Sequence, residues 1–430
     1  MIGLLAGCSQ ESIVPFEEEP PAPLFRLSDF SSAESCKVCH PTHYDEWRGS
    51  MHAYSIVDPI HTAWLNGLRE SLGAEELGQM CVQCHSPIGM LTGETPIGFK
   101  KEELPPIVRE GVTCDVCHLM TKASTTTFTD AVYHYDAKSG TEYGSIMDPV
   151  PNRVHPSEGR SFYSRSVACL PCHDLVNGNG LPVEITFTEW LVSPYGAMSV
   201  ECQDCHMETY SGKAATDGPV RDNLHRHDFI GVDVAVLDDF PNKEEQRQKI
   251  EHLLQNAVTL TVECPDSASP NSTLAVEVTV TNDKTGHDVP SSVTFVRQMW
   301  VEMTVSSGAT TLYESGYFDS NGDLMDENSL LNPAGDPDLM LFQSALFKDG
   351  EPANVVTADS IRIGSIAPLD SKSKTYMIPL PAGLGPTIEV GVRLRFRSFP
   401  PYAIRDGAAE FIDKIPVIDM ETFQKTVAVR

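Results

Sequence analysis

From residue 258 onward the chain alternates apolar and polar positions. The runs are "VTLTVEC", "LAVEVTVTN", "QMWVEMTV", "YMIPLP" and "TIEVGVRLRFRSF", punctuated by Gly, Asn and Pro. Successive side chains of a strand point to opposite faces, so a period of two predicts antiparallel, half-buried strands. About 170 residues of this pattern predict an all-β unit, an immunoglobulin-like sandwich, over 258–430. Just before it, "NKEEQRQKIEHLLQNAV" has a helical period, and Pro241 opens a helix predicted to run to about residue 258. Further upstream no long periodic run occurs. Residues 31–257 read as short helices and loops. No stretch reaches the ~18 apolar residues of a membrane helix.

A chain of 430 residues is too long for one ordinary core, which agrees with two units. Its 41% hydrophobic content is that of a globular protein. The formal charge of −29 argues against nucleic acid, whose phosphates it would repel, and suits a secreted surface or cationic partners.

The upstream region lacks strand periodicity but is rich in cysteine. Of twelve cysteines, ten fall into five identical frames: Cys36-x-x-Cys39-His40, Cys81-x-x-Cys84-His85, Cys114-x-x-Cys117-His118, Cys169-x-x-Cys172-His173 and Cys202-x-x-Cys205-His206. Zinc sites use paired C-x-x-C knuckles, and redox disulfides use one such motif on a thioredoxin-like unit. Neither needs a histidine after the second cysteine. Covalent haem attachment does: two thiols add to the haem vinyl groups, and the next residue offers its imidazole to the iron. Five repeats of that frame predict five c-type haems, with His40, His85, His118, His173 and His206 as proximal ligands. They also predict an exported protein. Cys81 and Cys114 are 33 residues apart, as are Cys169 and Cys202, which reads as a duplicated two-haem module after one N-terminal haem. The motifs occupy 36–206, about 34 residues per haem, too few for a large side-chain core; the porphyrins themselves must fill it.

Nine histidines remain, and five bis-histidine haems would need five distal ligands. His52, on a predicted helix after "WRGSM", is one candidate. His155 and His227 are others, and His134 is a further one. His43 and His61 read as surface or supporting residues, His225 as solvent-exposed, and His252 as a helix-face residue. Met207 is too close to its own motif to reach the opposite haem face.

Residues 1–8 end in Leu5-Ala6-Gly7-Cys8, which resembles a bacterial lipobox and predicts lipidation of Cys8. Only seven residues precede that cysteine, so the start codon is expected further upstream. Ser9 fits outer-membrane sorting. The Pro- and Glu-rich residues 9–30 read as a tether. "DSNGDLMDE" (319–327) fails the EF-hand spacing, because Gly322 stands fourth rather than sixth, and reads as a turn. Cys264 reads as a buried free thiol at a strand end.

"SCKVCHPTHYDEWRGSMHAYS" resembles the opening motif of multihaem c-type cytochromes related to the nitrifier tetrahaem cytochrome and to bacterial extracellular electron-transfer cytochromes. "CLPCHDLVNGNGLPVEITFTEWLVSPYGAMSVECQDCHM" resembles their later haem pair. "TNDKTGHDVPSSVTFVRQMWVEMTV" resembles a β domain that often follows, with a Gly-His-x-x-Pro signature. These stretches span most of 30–310. The resemblance implies an electron-transfer role, distal ligation by His52, His155 and His227, and a further distal ligand in His287. Four candidates then serve five haems, and the fifth is left to His134, a neighbouring subunit or an open position.

The expectation is an electron carrier rather than a catalyst, lipid-anchored at the outer membrane on its periplasmic or cell-surface face. Its partners would be other cytochromes, an outer-membrane electron conduit or extracellular acceptors. Two rivals stand beside it. One is a reductase of a small nitrogen or sulfur oxyanion at one open haem. Pentahaem nitrite reductases, however, usually carry lysine for histidine in the catalytic motif and are mainly helical. The other is a self-associating filament subunit.

Overall fold

The computed structural model describes residues 23–123, 126–127 and 133–430. Cys8 and most of the expected tether, residues 9–22, lie outside the described residues.

Residues 33–236 form short elements. Helices α1 (Pro41–Arg48), α2 (Met51–Tyr54) and α3 (Pro59–Leu72) are followed by single helical turns and two- or three-stranded scraps of sheet. Their apolar side chains form several small clusters rather than one core. Helix α3 begins at an N-cap Asp58, whose carboxylate accepts from the Ile60 N–H, with Pro59 at the first helical position. The helix expected over 241–258 is α4 (Lys243–Gln255). It starts after Asn242, which sits in the left-handed region (φ 54°) and cannot continue a helix backward. Its Ile250 and Leu254 belong to the core of the β unit.

The β unit has two main sheets sharing one core. The first is β1 (Thr259–Glu263), β2 (Thr273–Thr281) and β6 (Ser371–Pro379), in the order β1-β2-β6. The second holds β3 (Gln298–Ser307), β4 (Thr310–Ser315), β5 (Met340–Phe342), β7 (Thr387–Arg397) and β8 (Ile418–Val429). Its order is β8-β7-β3-β4, with β5 also on β3 and the short strand Ser267–Ala268 on β8. All five predicted runs are strands. Leu274, Val276, Val278 and Val280 of β2 face Met299, Val301, Met303 and Val305 of β3 across the core, as period-two alternation requires. The opposite face of β3 is also covered. Buried Glu302 accepts from Arg393 and Arg395, and the Arg395 and Arg397 guanidinium groups lie over the Trp300 ring.

Residues 319–327 form a turn. Phe318 and Leu324 bridge antiparallel, and Gly322 takes φ +77°. The Asp319 carboxylate accepts from the N–H groups of Asn321 and Asp323, while Asp323 pairs with Arg405. Cys264 is half-buried immediately after β1.

Four sets of contacts lock the β unit to the upstream region. Buried Arg297 forms a bidentate pair with Asp233. Asn177 donates to the carbonyls of Val355 and Ala358. Glu189 accepts from Ser291 and from the Asp288 N–H. Helix α5 (Pro401–Ala408) lies on α3, where Trp64 Nε1 donates to the Ala403 carbonyl at 2.9 Å, and Ile60, Ile404 and Ala408 share a cluster. The α3–α5 approach is close enough that a Cβ on Gly407 would stand 2.9 Å from the Ala63 Cβ. Gly407→Val is therefore expected to destabilise the holoprotein by about 1–3 kcal/mol through overpacking. Thermal unfolding followed by circular dichroism checks this; an unchanged transition would contradict the close approach.

Candidate functional site

In three of the five cysteine frames the motif histidine, His85, His118 or His206, ends a short helix; His40 is the N-cap residue of α1, and the fourth frame is a turn after a 3-10 segment. Residues three and four apart share one face of a helix. Both thiols and the imidazole of a C-x-x-C-H frame therefore project the same way. All five motif histidines and all ten motif cysteines line one continuous cavity of about 1980 Å³. A pocket for one small molecule is typically about 300–1,000 Å³.

The frames come together in an order that sequence spacing does not give. The Cys36 and Cys114 thiols are within hydrogen-bond reach, and so are those of Cys169 and Cys202. Each close pair is tied by a carboxylate. Glu110 accepts from Ser32 Oγ and the Ala33 N–H ahead of the first frame, and the Asp115 carboxylate accepts from the Ser31 N–H. Glu201 accepts from the N–H and hydroxyl of Ser166, whose oxygen accepts from the Cys202 N–H. The fourth and fifth frames are thus neighbours, as the 33-residue spacing suggests, but the third lies against the first.

Each imidazole has two nitrogens, and the structure divides them. Nδ1 of His40, His85, His118 and His206 donates to the carbonyls of Ala214, Ser55, Tyr143 and Ile230. A carbonyl can only accept, so the proton sits on Nδ1 and Nε2 keeps its lone pair. This is how metal-binding imidazoles are usually held. The same division recurs at His155, His227 and His287, which donate to the carbonyls of Pro156, His225 and Asp288.

These two sets of histidines face each other. His40 and His155 have ring centres 6.3 Å apart at 29°, His118 and His227 6.2 Å at 18°, and His206 and His287 6.2 Å at 22°. An imidazole–metal bond is about 2 Å and the ring centre lies about 1 Å beyond the nitrogen, so two rings on opposite sides of one metal stand about 6 Å apart. The three pairs fit an iron held between them. His52 is buried beside the same cavity; burial, then the charge of His173, pushes its pKa down to about 3. Its ring lies 4.4 Å from that of Phe229, which stands 5.5 Å from that of His227. Burial likewise lowers His287 to about 4 and holds His61 and His227 well below the usual range. Neutral imidazole is the form that ligates a metal.

His287 comes from the β unit. Asn282 Nδ2 and Thr285 Oγ1 both donate to its carbonyl, and Val289 pairs with Ile366. Gly286 lets the loop lie against Tyr195, whose Cβ would be 3.1 Å from an added Cβ.

Several histidines differ from expectation. His134 sits on the strand Tyr133–Tyr135, held against Met120–Ala123, and is not among the residues lining the cavity. His61 does line it. Its ring is stacked on His85, with centres 3.9 Å apart at 9°. Both ring nitrogens are buried without a partner, at a cost of about 1–3 kcal/mol for each such group. The one sequence signal for it is its place on the apolar face of α3, one residue from Ile60. His43 is also inside, its Nε2 bonded to the Tyr210 hydroxyl at 3.0 Å and its ring 4.5 Å from that of His227. His225, expected in solvent, is instead half-buried at the cavity wall and donates to the Met207 carbonyl, and His252 is exposed on α4 where that helix borders the cavity.

Residues 35–119 match the family model described as cytochrome c554 and c-prime. No protein of curated description matches. Among solved structures, the chain is similar to a penta-haem cytochrome c552 from Thermochromatium tepidum, at 19% identity and TM-score 0.64, over 93% of this chain and 99% of that one. The CARDB domain of PF1109 from Pyrococcus furiosus aligns with 40% of this chain and 90% of its own at 14% identity, but its TM-score of 0.18 gives it no weight. Residues 35–119 thus resemble the cytochrome c554 and c-prime family, and the chain shares the fold of a penta-haem cytochrome along nearly its whole length.

Proposed function

We propose that this protein transfers electrons through five covalently attached c-type haems, mostly ligated by two histidines each. One observation carries the reading: five C-x-x-C-H frames converge on one cavity, and three of their histidines face a second imidazole at the separation one iron requires. Haem held by these residues would supply reversible one-electron chemistry, and a second histidine facing each motif histidine would leave no position for substrate.

The chain's residues take the following roles. Cys36 and Cys39, Cys81 and Cys84, Cys114 and Cys117, Cys169 and Cys172, and Cys202 and Cys205 hold the five groups. His40, His85, His118, His173 and His206 are proximal ligands. His155, His227, His52 and His287 are the distal partners of His40, His118, His173 and His206. The contacts between first and third frames, and between fourth and fifth, give two close pairs. Phe229, lying between the rings of His52 and His227, joins one pair to the other. Ser55 joins the second frame, accepting from His85 Nδ1 while its hydroxyl donates to the His52 and His85 carbonyls.

The β unit, which we take to be an immunoglobulin-like sandwich, supplies His287 and braces the haem region. We further propose export and lipid anchoring through Cys8 at the outer membrane. No helix among the described residues is long and apolar enough to cross a membrane. Redox proteins or extracellular acceptors would be the partners, and the −29 charge favours cationic docking faces.

A reductase of a small nitrogen or sulfur oxyanion is the second reading. It is favoured by the second frame, where His85 faces no imidazole at the 6 Å spacing.

The haem-loaded protein is expected to carry five haems per chain, and Cys202→Ala with Cys205→Ala to carry four, by haem assay against protein mass. An unchanged count in that variant would remove the attachment role of the fifth frame. His287→Ala should convert about one-fifth of the haem to high spin in electron paramagnetic resonance, since one distal ligand of five is lost. Reduced-dye assays with nitrite or hydroxylamine should show no steady turnover; sustained turnover would favour the reductase.

A further inference from the structure

We infer that His61 is the distal ligand at the second cysteine frame, opposite His85, so that every one of the five frames has its own histidine partner within this chain. The inference rests on the haem reading of that frame.

Three observations converge on His61. Its two ring nitrogens are both buried and both without a partner, although the ring lines the same cavity as the motif histidines. Its plane is within 9° of the His85 plane, a closer alignment than in any of the three facing pairs. His85 has committed Nδ1 to the Ser55 carbonyl at 3.0 Å, so its Nε2 is the nitrogen left for a metal.

The other unassigned histidines do not fit the second frame. His43 is bonded to Tyr210 and lies beside His227. His225 is bonded to Met207, His134 is outside the cavity lining, and His252 is on the exposed side of its helix.

The position of His61 is also built rather than incidental. It stands in the first turn of α3, fixed by the Asp58 cap on one side and by the Trp64 bond to Ala403 further along. The rings touch at 3.9 Å, whereas the other pairs stand at 6.2–6.3 Å. Bracketing one iron requires them to part by about 2 Å, a movement that side-chain torsions provide while the backbone stays in place.

The test uses the full chain purified with its haem. Haem is counted first, and five per chain is expected. Electron paramagnetic resonance of the oxidised protein should then show no high-spin iron. In His61→Ala, about one-fifth of the haem should turn high-spin, and added imidazole should return it to low spin. His61→Met, which keeps a ligand of similar bulk, should remain low-spin and gain the far-red band of methionine-ligated haem. This second variant serves if the alanine variant does not mature. His134→Ala should leave the spectrum unchanged. Two results would overturn the inference: one-fifth high-spin iron in the unmodified protein that His61→Ala does not increase, or a fully low-spin His61→Ala. A count of four, with the second frame empty in peptide mass analysis, would instead overturn the haem reading of that frame and the ligand inference with it.

Discussion

The upstream half of the molecule depends on how each imidazole divides its two nitrogens. Eight histidines around the cavity, His225 among them, give Nδ1–H to a backbone carbonyl, which leaves the lone pair on Nε2. That division selects one tautomer and fixes the ring plane, while burial keeps rings such as His85 and His206 neutral. It also explains why irregular backbone is so common here. A carbonyl inside a helix or sheet already has its partner, whereas loops such as those at Ala214, Ser55 and Ile230 have carbonyls to spare. The scattered small clusters of apolar side chains follow from the same arrangement. They line and separate a large cavity instead of forming one continuous core.

The β unit has a different physical basis and a complementary role. Its core is made by two sheets with ordinary inward-facing valines, methionines and leucines. That core gives stiffness that a region of mostly short helices and loops cannot generate alone. The stiffness reaches the cavity at two places. The Gly286 loop delivers His287 against His206, and α5 presses on the helix carrying His61. Buried Arg297, held by Asp233 and the Ser398 carbonyl, closes the junction. The unit thus acts on the site through position, while its own outer face spends its charged residues on the Glu302, Arg393, Arg395 and Asp419 network.

Much of this was legible in the sequence because the signals are local. A C-x-x-C-H frame is five consecutive residues, and a helical turn suffices to orient it. The β runs announce themselves by alternation, since each strand is exposed on one face and buried on the other. The helix at 243–255 was expected too, although its ends were set by the left-handed Asn242 and by Asn256, whose N–H caps the Leu253 and Leu254 carbonyls. His155, His227 and His52 were expected as ligands and are brought into the cavity. The geometry places the first two opposite His40 and His118. His134 and His61 take other places than the sequence suggests: strand pairing keeps the first out of the cavity lining, and the α3–α5 contact holds the second in it.

The sequence by itself therefore determined the number of C-x-x-C-H frames, the identity of the motif histidines and the two-part character of the chain. Each of these is written within a few residues or in a simple period. The tertiary structure alone decided which frames lie side by side and which histidine stands opposite which. It joined the first frame to the third through Glu110, and it set His61 against His85. Such choices depend on contacts between segments from 24 to more than 100 residues apart, such as His61 with His85 and His40 with His155. No periodicity or spacing encodes them, because a facing imidazole can be delivered by any element, helix, loop or β unit, that the tertiary fold brings to the cavity.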